Sequence, residues 1–231
     1  MLKIKNKIKF KHSENRMKNE GDVSSSILEF KKNKNLFNLL NERYFWMNNF
    51  IKENDFGIEV GSAGGFTKNF INCKNFKISD FSNHEHLDYK NIDAQNTGFE
   101  DEKFDFIISS NMIHHLPYPL KFFNEMHRIL KKGGKLIIFD AHCSTVLQLV
   151  LILMRHEGFD FTKNVWSEDQ PATDKEDLWS GNSAIPYLIF NDKKKFYDNL
   201  GEKFEIKYEK ICECLLFCLL YTSPSPRDVR S

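Results

Sequence analysis

Apolar positions between residues 24 and 51 recur at helical spacing: Ile27, Leu28, Phe30, Leu36, Leu39, Leu40, Tyr44, Trp46, Met47 and Ile51. Side chains three or four residues apart share one helix face, so this stretch predicts a helix with room for one break, and Ser24 to Ser26 offer a cap. Beyond it the pattern changes to short apolar or β-rich runs separated by helical stretches. Strands are expected near Phe56–Val60, Phe76–Ser79, Tyr89–Ile92, Phe104–Ser109 and Lys135–Asp140. Helices are expected to open near Gly65, Phe81 and Pro119, the last ending at Lys131-Lys132-Gly133-Gly134, where cations suit the negative dipole end and glycine accepts a left-handed cap. This alternation builds an α/β domain with a mainly parallel sheet.

A further helix is expected from Ser144 to about Arg155, a short one near Asp192–Leu200 and a strand over Phe204–Glu209. Residues 157–186 are aromatic-rich and turn-rich without a period, and a loop that long in a compact domain is usually functional, so it reads as a substrate lid. Residues 1–22 are polar and lysine-rich without periodicity and read as a mobile arm. The remaining division is one domain over 23–217, with its core at 53–142, and a tail at 218–231.

Composition narrows the partners. Lys and Arg number 33 against 32 for Asp and Glu, and the formal charge of +1 supplies no field to gather nucleic acid or an anionic membrane. Val146 to Met154, the longest apolar run, falls well short of the roughly 20 residues of a spanning helix, and the start of the chain lacks the pattern of a secretory signal. The expectation is a cytoplasmic protein without a transmembrane segment. Five cysteines at 73, 143, 212, 214 and 218 lack paired CxxC spacing, so neither a disulfide framework nor a zinc-thiolate site is expected.

The chemistry concentrates in Phe56-Gly-Ile-Glu-Val-Gly61-Ser-Ala-Gly-Gly65-Phe-Thr, a strand entering a glycine-rich turn. Glycines let a ligand approach the backbone, and a helix N-terminus offers free amide donors. A dinucleotide fingerprint starting at Gly61 would require glycine at 63 and 66, where the chain has Ala63 and Phe66, so a nicotinamide cofactor is disfavoured. Asp80 closes the next strand about twenty residues after the turn, where a carboxylate can accept ribose hydroxyls, and Ile92-Asp93-Ala94 closes the one after.

The run resembles the first motif of class I methyltransferases, an acid followed by GxGxG, with Glu59 as the acid and Gly61, Ala63 and Gly65 in the glycine places. Phe104-Asp-Phe-Ile-Ile-Ser-Ser-Asn-Met-Ile-His-His-Leu116 and Phe123-Asn-Glu-Met-His-Arg-Ile-Leu-Lys-Lys-Gly-Gly-Lys-Leu-Ile-Ile-Phe-Asp140 resemble the following region of the type 11 methyltransferase family. The likeness extends more weakly through Arg43-Tyr-Phe-Trp-Met47, His156-Glu-Gly-Phe-Asp160 and Asn182-Ser-Ala-Ile-Pro186 to a bacterial subgroup associated with surface-polysaccharide genes. The resemblance implies a Rossmann-like, doubly wound class I fold that normally ends in a hairpin, and S-adenosylmethionine as cofactor. It implies that Glu59, Gly61, Ser62, Ala63, Gly64, Gly65, Asp80, Asp93, Ala94 and Asn111 hold that cofactor, with Asp93 on the adenine amino group. The acceptor expected is a small molecule, a sugar or a lipid-linked acceptor. The alternative is a catalytically silent subunit that binds the cofactor.

Methyl transfer needs alignment and, for a hydroxyl acceptor, removal of a proton. His114 and His115, after the fourth strand, and His142, after the fifth, are candidate bases at the carboxyl edge where open α/β sheets bind ligands. No histidine pair stands at recognisable metal spacing from carboxylates, so no metal is expected, and no aromatic and basic stripe marks a nucleic-acid surface. Cys218-Leu-Leu-Tyr-Thr-Ser-Pro-Ser-Pro-Arg-Asp228 resembles the in-frame translation of a sequencing adapter. The natural chain is therefore expected to continue differently after about Phe217, leaving the final hairpin incomplete.

Overall fold

The computed structural model describes residues 3–10, 23–155, 157–175 and 180–211. The adapter-like tail and residues 11–22 of the arm lie outside them. Helix α1 (Val23–Lys32) and helix α2 (Lys34–Tyr44) realise the expected N-terminal helix with its single break. The break falls at Asn33, whose side chain accepts from the amides of Asn35 and Leu36 and so caps α2. A 3-10 turn over Phe45–Phe50 leads into the sheet.

Strand β1 (Lys7–Ile8) belongs to the N-terminal arm, and strands β2 (Phe56–Val60), β3 (Asn75–Ser79), β4 (Phe104–Ser110) and β5 (Leu130–Phe139) form one sheet in the order β3-β2-β4-β5, parallel throughout. Helix α3 (Pro119–Ile129) makes the crossover from β4 to β5. The result is a Rossmann-like sheet flanked by helices. One face packs Ile58, Val60 and Ile107 against Phe122, Phe123, Met126 and Ile129 of α3. The other packs Ile78, Phe106, Ile108 and Ile137 against Leu40, Tyr44, Met47 and Phe70. Gly57 makes the second layer possible, because a Cβ there would lie 2.1 Å from the Phe106 ring.

Four expectations need correction. The run Tyr89–Ile92 is no strand: Tyr89 makes one parallel bridge to Ser79, and the chain then leaves the sheet at Asn91, which has φ +56°. The helix at Gly65 is only a 3-10 turn, Phe66–Asn69. Side-chain amides take the backbone groups a longer helix would use: Asn48 donates to the Phe70 carbonyl at 2.8 Å and accepts from the Asn72 amide at 2.7 Å. Nor does a helix form near Phe81, where Asp80 accepts from the Ser82 amide in a tight turn. The sequence Lys131-Lys132-Gly133-Gly134 does not end a helix but lies within β5. Leu130 is already extended and paired with Phe104, while the amides of Glu102 and Lys103 cap the carbonyls of Arg128 and Ile129.

Helix α4 (Thr145–Met154), capped by Ser144, and helix α6 (Lys193–Leu200), capped by Asp192, stand where expected, with helix α5 (Ile185–Phe190) between them. Phe204–Glu209, expected as a strand, forms no strand pairing among the described residues. Strand β6 (Phe159–Asp160), inside the segment expected to be a lid, pairs antiparallel with β1. Lys7 meets buried Asp160 at 3.3 Å there. Cys73 and Cys143 are free thiols. No helix among the described residues is long and apolar enough to cross a membrane.

Candidate active site

The turn after β2 closes over a cavity of about 170 Å³ lined by Glu59, Gly61, Ser62, Ala63, Gly64, Phe66, Thr67, Ser110, Asn111 and Tyr44. Gly61 has φ +72° and lies against Met112, whose Cγ would be 2.4 Å from any Cβ, so both backbone angle and space require glycine. Ala63 also occupies the left-handed region, at φ +42°. Two contacts hold it there: its amide donates to Asp80 Oδ2 at 2.8 Å, and its carbonyl is 2.7 Å from His86 Nε2.

Glu59 points into the second core layer beneath the turn and is 2% exposed. Burial pushes its carboxyl up to about 7, against the opposing hydrogen bonds of Thr67 and Ser62, with Asp80 repulsion adding to the rise. Thr67 donates to Glu59 Oε2. Burial raises the Tyr44 phenol too, helped by the nearby Glu59. Tyr44, Thr67 and Ser110 are cavity residues that the motif does not reveal. Tyr44 arrives from α2 in the tertiary packing, and nothing local marks it.

Six of the expected cofactor residues, Glu59, Gly61, Ser62, Ala63, Gly64 and Asn111, line this cavity, and Gly65 stands just behind it, against Ile78. Asp80 borders the turn through Ala63. Asp93 does not reach the cavity: its carboxylate accepts from the amide of Gln95 at 2.8 Å, and Ala94 is buried in the α3-side core.

The expected histidines divide. His114 and His115 sit in a 3-10 turn after β4, with ring centroids 4.1 Å apart. His114 Nδ1 lies 2.5 Å from Asp140 Oδ1, its Nε2 lies 3.5 Å from Glu157 Oε2, and His115 Nε2 lies 3.9 Å from Glu157 Oε1. Burial disfavours charge on His114, but the carboxylates of Asp140 and Glu157 outweigh it and hold the imidazole well above its ordinary pKa. His142 stands apart from this cluster, exposed at the end of β5 with its ring 5.9 Å from Tyr187. Spacing along the chain does not single out Glu157, because the fold brings it from beyond α4. Its one sequence signal is its place in His156-Glu-Gly-Phe-Asp160.

The segment after α4 is fastened to this edge. Asn182 donates from its amide to the His114 carbonyl at 2.8 Å, and its side chain accepts from the amides of Asp160 and Ala184. Thr173 donates its hydroxyl to the His115 carbonyl at 2.9 Å.

A parallel strand ending in a glycine-rich turn, with carboxylates below it and at the end of the next strand, defines a Rossmann-like domain for a nucleotide-like cofactor. Residues 67–138 match the family described as "Methyltransferase domain", type 11, a class whose cofactor is S-adenosylmethionine. The chain is 32% identical over 89 residues to the highly reducing polyketide synthase PKS2 of Leptosphaeria maculans, covering 36% of this chain and 3% of that protein. It is 26% identical over 101 residues to the demethylmenaquinone methyltransferase of Alkalihalophilus pseudofirmus, covering 40% of this chain and 42% of that one. The matched segments thus span less than half of either relative. Among solved structures, a Pyrococcus horikoshii protein is similar over 54% of this chain and 66% of its own, at 20% identity and a TM-score of 0.42.

The cavity residues fit the cofactor. The wall at Gly61 and Gly64 carries no side chain, Glu59 provides a carboxyl group for a cation, and Tyr44, Asn111 and Ser110 add polar edges. Asp80 spends one acceptor site on each of the Ala63 and Ser82 amides. A carboxylate has about four such sites, so capacity for hydroxyls remains.

Proposed function

We propose that this chain transfers a methyl group from S-adenosylmethionine to a small-molecule, sugar or lipid-linked acceptor, of the kind made in bacterial surface-polysaccharide synthesis. The observation that carries the reading is the cavity under the turn, with Gly61 held left-handed above buried Glu59. The cofactor, when bound, supplies a methyl carbon on a sulfonium.

This chain's residues bind and align. The Gly61–Gly65 turn takes the methionine part, Asp80 the ribose hydroxyls and Asp93 with Ala94 the adenine, the last requiring their loop to approach the cavity. The acceptor lies at the carboxyl ends of β4 and β5, between the turn and the histidines. His114 and His115 already face Glu157, so exposed His142 is the side chain best suited to carry off an acceptor proton.

Calorimetric titration of the full chain with S-adenosylmethionine and, separately, with NAD tests this reading. Micromolar binding of the sulfonium alone is the expected result. A folded chain that binds neither compound would overturn it.

A further inference from the structure

The histidine cluster has the composition and arrangement of a metal site, which linear spacing hides. Ligand atoms of His114, His115 and Glu157 all lie within 4.8 Å of one another. They are two imidazole nitrogens and a carboxylate oxygen, a set that suits zinc and its first-row neighbours.

The surroundings aim these atoms inward. Asp140 takes the Nδ1 side of His114, which leaves Nε2 facing Glu157, as in carboxylate–histidine–metal arrangements. Asp140 is itself fixed by the amides of Ile113 at 2.8 Å and Ala141 at 2.7 Å. Ser183 donates its hydroxyl to Glu157 Oε2 at 3.1 Å. Gly181 closes the back, since a Cβ there would lie 3.1 Å from the Glu157 carboxyl carbon and 3.3 Å from the His114 ring. The side chains grade from 6% exposed at His114 to 19% at Glu157 and 25% at His115, so the cluster is closed on one side and open on the other.

We propose that His114, His115 and Glu157 form a binding site for one divalent transition ion of the zinc type, with Asp140 as the positioning residue behind His114. Three protein ligands and an open side leave a coordination position for water or for an oxygen of a bound molecule. This inference stands independently of the methyl-transfer reading.

The test uses the full chain, stripped with chelator and titrated with zinc chloride, and in parallel with cobalt(II) followed by visible absorption. About one equivalent of zinc should bind, and Glu157→Gln and His115→Ala should each weaken binding by at least about tenfold, with His142→Ala unchanged. Circular dichroism checks that each variant is folded, and Glu157→Gln, which keeps size and hydrogen bonding, guards against loss of fold in the alanine variant. Failure of the folded parent chain to bind zinc would overturn the proposal. So would binding unaffected by either ligand variant, or a cobalt spectrum dominated by thiolate charge transfer, which would assign the ion to cysteines.

Discussion

Glu59 is the residue where fold and cofactor chemistry meet. Its folded pKa of about 7 stands above the ordinary carboxyl value because burial outweighs the hydroxyls that serve it. A raised pKa means that the folded state favours the proton. The stability this contributes is fully present below about pH 4.5 and is lost as pH rises to about 7, a difference of roughly 3 kcal/mol. Urea denaturation at pH 5 and pH 8 should find this decline in the parent chain and a much flatter dependence in Glu59→Gln. The same protonation predicts that S-adenosylmethionine binds more tightly at pH 8 than at pH 6, since only the ionised carboxyl attracts a cation, and that Glu59→Gln abolishes the difference in titration calorimetry. Asp80 holds Ala63 left-handed through the amide, and in the proposed reading it also takes the ribose hydroxyls. Asp80→Ala should therefore weaken cofactor binding at least about tenfold and cost about 1 kcal/mol of stability. Asp80→Asn, which keeps an acceptor oxygen for the turn, should recover the stability and not the affinity.

Among the elements, those whose shape follows from local pattern stand apart from those decided by a partner. Strand β2, helix α3 and helix α4 carry their own local signals, with Pro119 opening α3 and Ser144 capping α4, and the structure places their starts where the pattern does. The segment after α4 has no period because side chains replace repeating backbone pairing. Asn182, 4% exposed, accepts from the amides of Asp160 and Ala184 and donates to the carbonyls of Asp160 and Ala172. Asn182→Ala leaves those buried groups unpaired and should cost about 2–4 kcal/mol, read as a lower urea midpoint. Cofactor affinity should change little, because Asn182 lies at the histidine edge and not at the glycine turn.

At the scale of the molecule, the N-terminal arm and the post-α4 segment form a second, two-stranded sheet beside the main one. Ile4 donates its amide to buried Gln148, the Phe161 amide donates to the Asn6 carbonyl, and Ile8 packs against the cluster of Cys143, Leu151 and Phe159. A chain lacking residues 1–10 should melt about 4–8 °C lower, as expected for the loss of roughly 2 kcal/mol in a domain of this size, while keeping its affinity for S-adenosylmethionine. The sequence by itself determined the α/β class, the parallel strands β2 to β5 and the turn with Glu59 and Gly61, because each is written in residues close together along the chain. Only the tertiary structure decided that Tyr89–Ile92 stays outside the sheet, that Lys131 to Gly134 extend β5, and that Tyr44 and Glu157 reach the site. Strand pairing and side-chain convergence depend on which distant segments pack together, and no local pattern encodes that.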